Sequence, residues 1–162
     1  KKSGTIELLV TFPIKDSEII AGKFLSSLVL IISAVVMTFI YVITLSLLGN
    51  LDGGAVFCGY LGLILMGGAY AALGILASSM TDNQIVGFIV AFVFCFVLFI
   101  MDKLLLFLPI QIGAIIEYLS IDYHFNNISK GVVDSRDVIY YLSVIFLSLF
   151  FASKVLEKRK NA

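Results

Sequence analysis

The chain has 162 residues, of which 60% are apolar or aromatic and only 14% charged, and its mean hydropathy is +1.10. A soluble domain carries about 25% charged residues, and one this small has no interior able to hide so much apolar surface. Disorder, a collagenous or coiled-coil rod and an ordinary cytosolic enzyme are excluded, which leaves an integral membrane protein.

The first residues, Lys1-Lys2-Ser3-Gly4, include no Met and lack the basic, apolar and small-residue layout of a signal peptide. The chain therefore reads as a piece of a longer protein. Ile6, Leu9 and Val10 fall on one helical face, roughly opposite Lys2, Ser3 and Glu7, so a short amphipathic helix is expected over 4–11. Pro13 ends it. Such a helix either rests on a lipid surface or docks on a cytoplasmic partner, and the pattern leaves both open. Asp16 can cap a new helix, with Ser17 and Glu18 in its first turn.

Uncharged runs then mark the membrane spans: Phe24–Leu51, Gly53–Thr81, Asn83–Met101 and Val138–Ser153. A crossing helix needs about 20 apolar residues, and the first three runs meet this. The fourth is extended by Lys154, whose ammonium snorkels to the surface. The expected helices are 17–49, 54–80, 84–108 and 135–157. Gly49–Gly54 and Thr81–Gln84 are polar corners, and Thr81 or Asp82 is the expected cap for the third span. Between spans three and four lie residues 102–137, of which Leu104–Leu108 and Ile110–Leu119 are too apolar for an open loop and too short to cross, while Ser120–Asp137 is polar. A re-entrant or interfacial helix pair is expected there, near 110–119 and 122–130, with Pro109 as the bend. Asp134 can cap the last span, with Asp137 three residues on in a capping-box-like arrangement.

Basic residues set the orientation. Lys1, Lys2, Lys15, Lys23, Lys154, Lys158, Arg159 and Lys160 lie at the two ends, against Lys103, Lys130 and Arg136 on the opposite face. The positive-inside rule places both ends in the cytoplasm and 102–137 outside.

The first three spans contain no ionisable acid, base or His. Ion-coupled transporters place such groups in the membrane, so energy for active transport has to come from elsewhere. Eleven basic residues balance eleven acidic ones, and no basic patch invites nucleic acid. Cys58 and Cys95 sit in apolar runs as free thiols. No catalytic, cofactor-binding or metal-binding constellation is expected, and the lone His124 is read as a packing or hydrogen-bonding residue. Gly67, Ala71, Gly74 and Ser78 recur on one helix face in the second span, a surface for close backbone approach.

The segment Lys2-Ser3-Gly4-Thr5-Ile6-Glu7-Leu8-Leu9-Val10-Thr11-Phe12-Pro13-Ile14, followed by Gly22-Lys23, resembles the cytoplasmic segment of type-2 ATP-binding-cassette (ABC) exporter permeases. In that family a Gly-Thr-x-Glu-x-Leu run precedes a Pro, and a Gly-Lys pair opens the next span; the family's acidic residue before Gly-Thr would precede Lys1. Tyr118-Leu119-Ser120, His124-Phe125, Lys130-Gly131 through Asp134, Arg136-Asp137 and Tyr140-Tyr141-Leu142 look like the branch that includes gliding-motility-associated permeases.

The resemblance implies a single all-α permease domain over 1–162, a helical bundle with two further spans before Lys1. Residues 1–16 would be a cytoplasmic coupling segment, with Gly4, Thr5, Ile6, Glu7, Leu9, Val10 and Pro13 at the ATPase interface. His124, Phe125, Gly131, Asp134 and Arg136 would form an external motif. The chain would be no enzyme and would bind no cofactor. ATP and Mg would sit on a separate ABC ATPase subunit, and a second permease half, the same chain or a different one, would complete an export path across the inner (plasma) membrane. A non-transporting membrane scaffold or assembly subunit shares every feature of composition.

Overall fold

The computed structural model describes residues 16–104 and 110–160, and the helix expected over 4–11 lies outside them. Every element among the described residues is helical: α1 (Asp16–Met37), α2 (Phe39–Leu48), α3 (Gly53–Ser79), α4 (Gln84–Leu104), α5 (Ile110–Leu119), α6 (Ile121–Ser129) and α7 (Ser135–Lys160). Four helical stretches are long and apolar enough to cross a membrane: Asp16–Leu48, Gly53–Ser79, Gln84–Met101 and Ser135–Arg159. Within such runs the backbone satisfies its own polar groups. The hydroxyls follow suit: Ser26, Ser27, Thr44 and Ser143 each donate to the carbonyl four residues back, while Ser33, Ser46, Ser79 and Ser153 donate to the carbonyl three residues back.

The first span is not the single helix expected over 17–49. It breaks at Thr38, whose hydroxyl donates to the Val35 carbonyl at 2.6 Å and lies 3.0 Å from the Tyr60 hydroxyl of α3. The backbone there tightens into successive three-residue turns, Thr38 N to Val35 O and Tyr41 N to Thr38 O. Asp52 caps α3, its Oδ1 accepting from Gly54 N at 2.9 Å and Ala55 N at 3.3 Å. The cap of α4 is Asn83, not Thr81 or Asp82: Asn83 Oδ1 accepts from Ile85 N at 2.9 Å, and Asp82 is engaged elsewhere.

The central helix is α3, which packs against α1, α4, α6 and α7. It does so through small residues, with Cys58, Gly62, Gly68, Ala69, Ala72 and Ala77 buried. A Cβ on Gly68 would lie 3.3 Å from Ile145 of α7 and 3.5 Å from Leu28 of α1; one on Gly62 would lie 3.1 Å from the Phe125 ring of α6. Close approach through small side chains is how apolar helices associate where no hydrophobic drive separates protein from lipid. Large apolar side chains face outward instead: Leu47 is 82% exposed, and Phe88, Phe92, Phe96 and Phe99 of α4 are all exposed. Lipid or another apolar chain covers such a surface in a membrane protein.

The two ends of the bundle differ. At one end the start of α1, the Thr81–Gln84 corner and the end of α7 meet. At the other, α5 and α6 form an elbow lying across α3, α4 and α7. Gly131, with φ +91°, turns the chain from α6 toward α7, and its Cα faces the Ala55 backbone at the head of α3. Replacing Gly131 by Ala forces a side chain into a left-handed conformation that costs about 1–2 kcal/mol. The expected result is a thermal midpoint lowered by a few degrees, and an unchanged midpoint in a thermal-shift assay would refute it.

Candidate functional site

The polar groups of the bundle gather at the α5–α6 elbow. Ser120, fully buried, caps α6 by accepting from Tyr123 N at 3.4 Å. Three carbonyls around the α5–α6 junction, two from the end of α5 and one from the first turn of α6, are each met by a side chain. His124 Nε2 lies 3.1 Å from the Tyr118 carbonyl, the Tyr140 hydroxyl donates to the Leu119 carbonyl at 2.6 Å, and the Tyr141 hydroxyl donates to the Ile121 carbonyl at 2.8 Å. Tyr140 and Tyr141 belong to α7, so two of these three bonds fasten the elbow to the last span.

His124 is 3% exposed and Asp137 likewise 3%. Their contact, Nδ1 to Oδ1 at 2.6 Å, joins α6 to α7. The imidazole stacks on the Tyr140 ring at 3.9 Å between centroids and meets Tyr123 and Tyr141 edge-on. The other carboxylate oxygen, Asp137 Oδ2, is buried with no hydrogen-bond partner. Asp137 therefore does not complete the expected capping box. Asp134 does cap α7, its Oδ1 accepting from Arg136 N at 2.9 Å, but the Asp137 side chain is held by His124 instead of reaching back to the cap.

The external motif residues thus take distinct places. His124 is in the clasp, Phe125 packs on Gly62, Gly131 makes the turn, Asp134 caps α7, and Arg136 is exposed on its first turn. Beside them Lys103 of α4 reaches Asp122 of α6 at 3.0 Å, a further tie between elbow and bundle. Nothing in residue order announces that the tyrosines would hold main-chain carbonyls; two adjacent Tyr at the head of an apolar helix were the available sign.

At the opposite end Arg159 Nη1 donates to the Ser79 carbonyl at 3.0 Å and Nη2 pairs with Asp82. The end of α7 is thereby tied to the α3–α4 corner. Two clefts open beside this tie. One, of about 310 Å³, lies between α1, α3 and α7 and is lined by Lys23, Ala71, Gly74, Ser78 and Arg159 among others. The second, of about 400 Å³, lies against α4 and shares Gly74 and Ser78. The small-residue face is therefore divided. A Cβ on Gly67 would come within 2.9 Å of Ile31 of α1, whereas one on Gly74 would meet no atom within 4 Å. Gly4, Thr5, Ile6, Glu7, Leu9, Val10 and Pro13 lie outside the described residues. Among the described residues no group of three or more His, Cys, Asp or Glu is placed to hold a metal ion.

Four helical stretches apolar and long enough to cross, a short helix pair between the last two and a small-residue centre define a multi-pass helical membrane protein. The family model for ABC-2 family transporter proteins matches residues 1–150, and the chain belongs to that family. It is a permease component of an ABC transporter, a family in which the ATPase is a separate subunit. No curated protein and no solved structure matches the chain.

Proposed function

We propose that this chain forms the substrate path of an ABC exporter and couples ATP hydrolysis on a separate subunit to movement of cargo out of the cell. The observation that carries this reading is the extent of the family match, which runs from residue 1 through most of the last span. It takes in both the Gly-Thr-x-Glu-x-Leu segment and the bundle. In this reading residues 1–14 dock on the ATPase, ATP and Mg are held there, and this chain binds no cofactor. A second permease half, identical or not, completes the path. The meeting of the α1 start, the 81–84 corner and the α7 end supports the assignment, because the docking segment leads directly into that end. The sequence resemblance of the motif around His124–Phe125 and Gly131–Asp137 is what supports a place in the branch that includes gliding-motility-associated permeases.

The test is co-purification. Tagged full-length permease is expected to retain an ABC ATPase and to stimulate its turnover in lipid vesicles. Purification without any ATPase would favour the scaffold reading. Sidedness has its own test. A reporter fused after Ala162 is expected to be cytoplasmic and one inserted at Asn126 external, in the inner membrane, as the basic ends require. Exchanged signals would overturn the orientation.

A further inference from the structure

Both ring nitrogens of His124 face oxygen acceptors, Asp137 Oδ1 at 2.6 Å and the Tyr118 carbonyl at 3.1 Å. A carbonyl never donates, so Nε2 must carry a proton for that bond to exist. A second proton lies between Nδ1 and Oδ1. The pair with two protons is neutral overall and makes both bonds. Among the described residues nothing else compensates Asp137, because Oδ2 is buried without a partner.

The surrounding groups do not take over this task. Tyr123 of α6 and Tyr140 and Tyr141 of α7 touch the ring as aromatic faces and edges, and both α7 hydroxyls are committed to carbonyls. On α6, Asp122 is paired with Lys103 of α4. The neighbouring elements also carry Glu117 on α5, Asp134 and Arg136 at the head of α7, and Tyr70 of α3 in the same apolar cluster as Tyr140 and Tyr141. None of them bonds a ring nitrogen or Oδ2.

We propose that His124 and Asp137 form a proton-binding site that fastens the α5–α6 elbow to α7 while it holds two protons and slackens it when one leaves. Loss of one proton to water leaves a single ring N–H, which stays with the carboxylate. The Nε2 lone pair then confronts the Tyr118 carbonyl, and the site holds a buried net negative charge. Both changes push the end of α5 off α6. The elbow is thus fastened at lower pH and loosened as pH rises. Only the identity of the compartment that supplies the proton, the outer one, rests on the function proposed above.

Amide hydrogen exchange on the full-length protein in phosphatidylcholine nanodiscs tests this. Between about pH 6 and about pH 10, protection factors at 120–126 are expected to fall roughly tenfold or more in the wild type, the loss of one charge-assisted bond. Asp137→Asn keeps both bonds without a removable proton, its amide donating to Nδ1 and Nε2–H to Tyr118, and is expected to stay protected at both pH values. His124→Asn is expected to be unprotected at both. The only His of this chain gives a direct signal as well: its ring ¹⁵N resonances must change over the range in which protection falls. Equal wild-type protection at the two pH values, or a fall in Asp137→Asn as large as the wild type's, would overturn the proposal while leaving co-purification with an ATPase untouched.

Discussion

A permease carrying Leu9→Asp inserts into the membrane in normal amount and loses its ATPase and its transport together. This is the expected result if residues 1–14 carry force between an ATPase and the spans. In the helix that the sequence pattern leads one to expect over 4–11, Ile6, Leu9 and Val10 would make a narrow apolar face of the kind that enters a groove on a partner. An aspartate at its centre places an unpaired charge in a desolvated contact, at a cost of several kcal/mol, and each ~1.4 kcal/mol weakens binding tenfold. Association should fall roughly a hundredfold or more. Insertion is spared because no span residue changes. Pull-down of the ATPase with the variant, beside a transport assay, decides the matter: normal assembly and normal transport would reduce the helix to a lipid-surface element.

The second large effect concerns the clasp. His124→Ala removes the side chain that holds a carboxylate 5% exposed at its side chain. Breaking a buried pair by removing one member costs about 3–5 kcal/mol, because the other charge stays behind. For a chain of this size the thermal midpoint should fall by roughly 10 °C. The double change His124→Leu with Asp137→Leu removes both charges and is expected to recover most of that loss. If the single and double variants melt together, the loss comes from packing against Tyr140 and not from a stranded carboxylate.

The spans were legible in the sequence because a membrane helix has to be apolar along its whole length, so each charge marks a boundary. Asp52, Asp82 and Asp102 bracket the second and third of the crossing stretches found, whereas Lys23 lies inside the first, which begins at Asp16. The short helix pair was legible for a related reason: Leu104–Leu108 and Ile110–Leu119 are too apolar for water and too short to cross. What the residue order concealed was partner choice. Thr38 looked like any hydroxyl in a span, since a threonine can bond within its own helix without breaking it; the break depends on Tyr60 waiting on α3. Asp82 looked like a cap and Asp137 like the far member of a capping box begun by Asp134, yet each is held by a basic side chain distant in sequence, Arg159 and His124. The small residues that α3 buries, Cys58, Gly62, Gly68, Ala69, Ala72 and Ala77, include none of the stripe Gly67, Ala71, Gly74 and Ser78, whose last member is exposed; the stripe in the sequence did not show which face the neighbouring helices cover.

The elbow is held by its main chain. Tyr118, Leu119 and Ile121 offer their carbonyls to His124, Tyr140 and Tyr141, while the side chains of Tyr118 and Leu119 stand exposed. A grip of that kind is indifferent to what those two positions display. The exposed surface of the elbow is therefore free to diversify, residue by residue, without loosening its own anchorage.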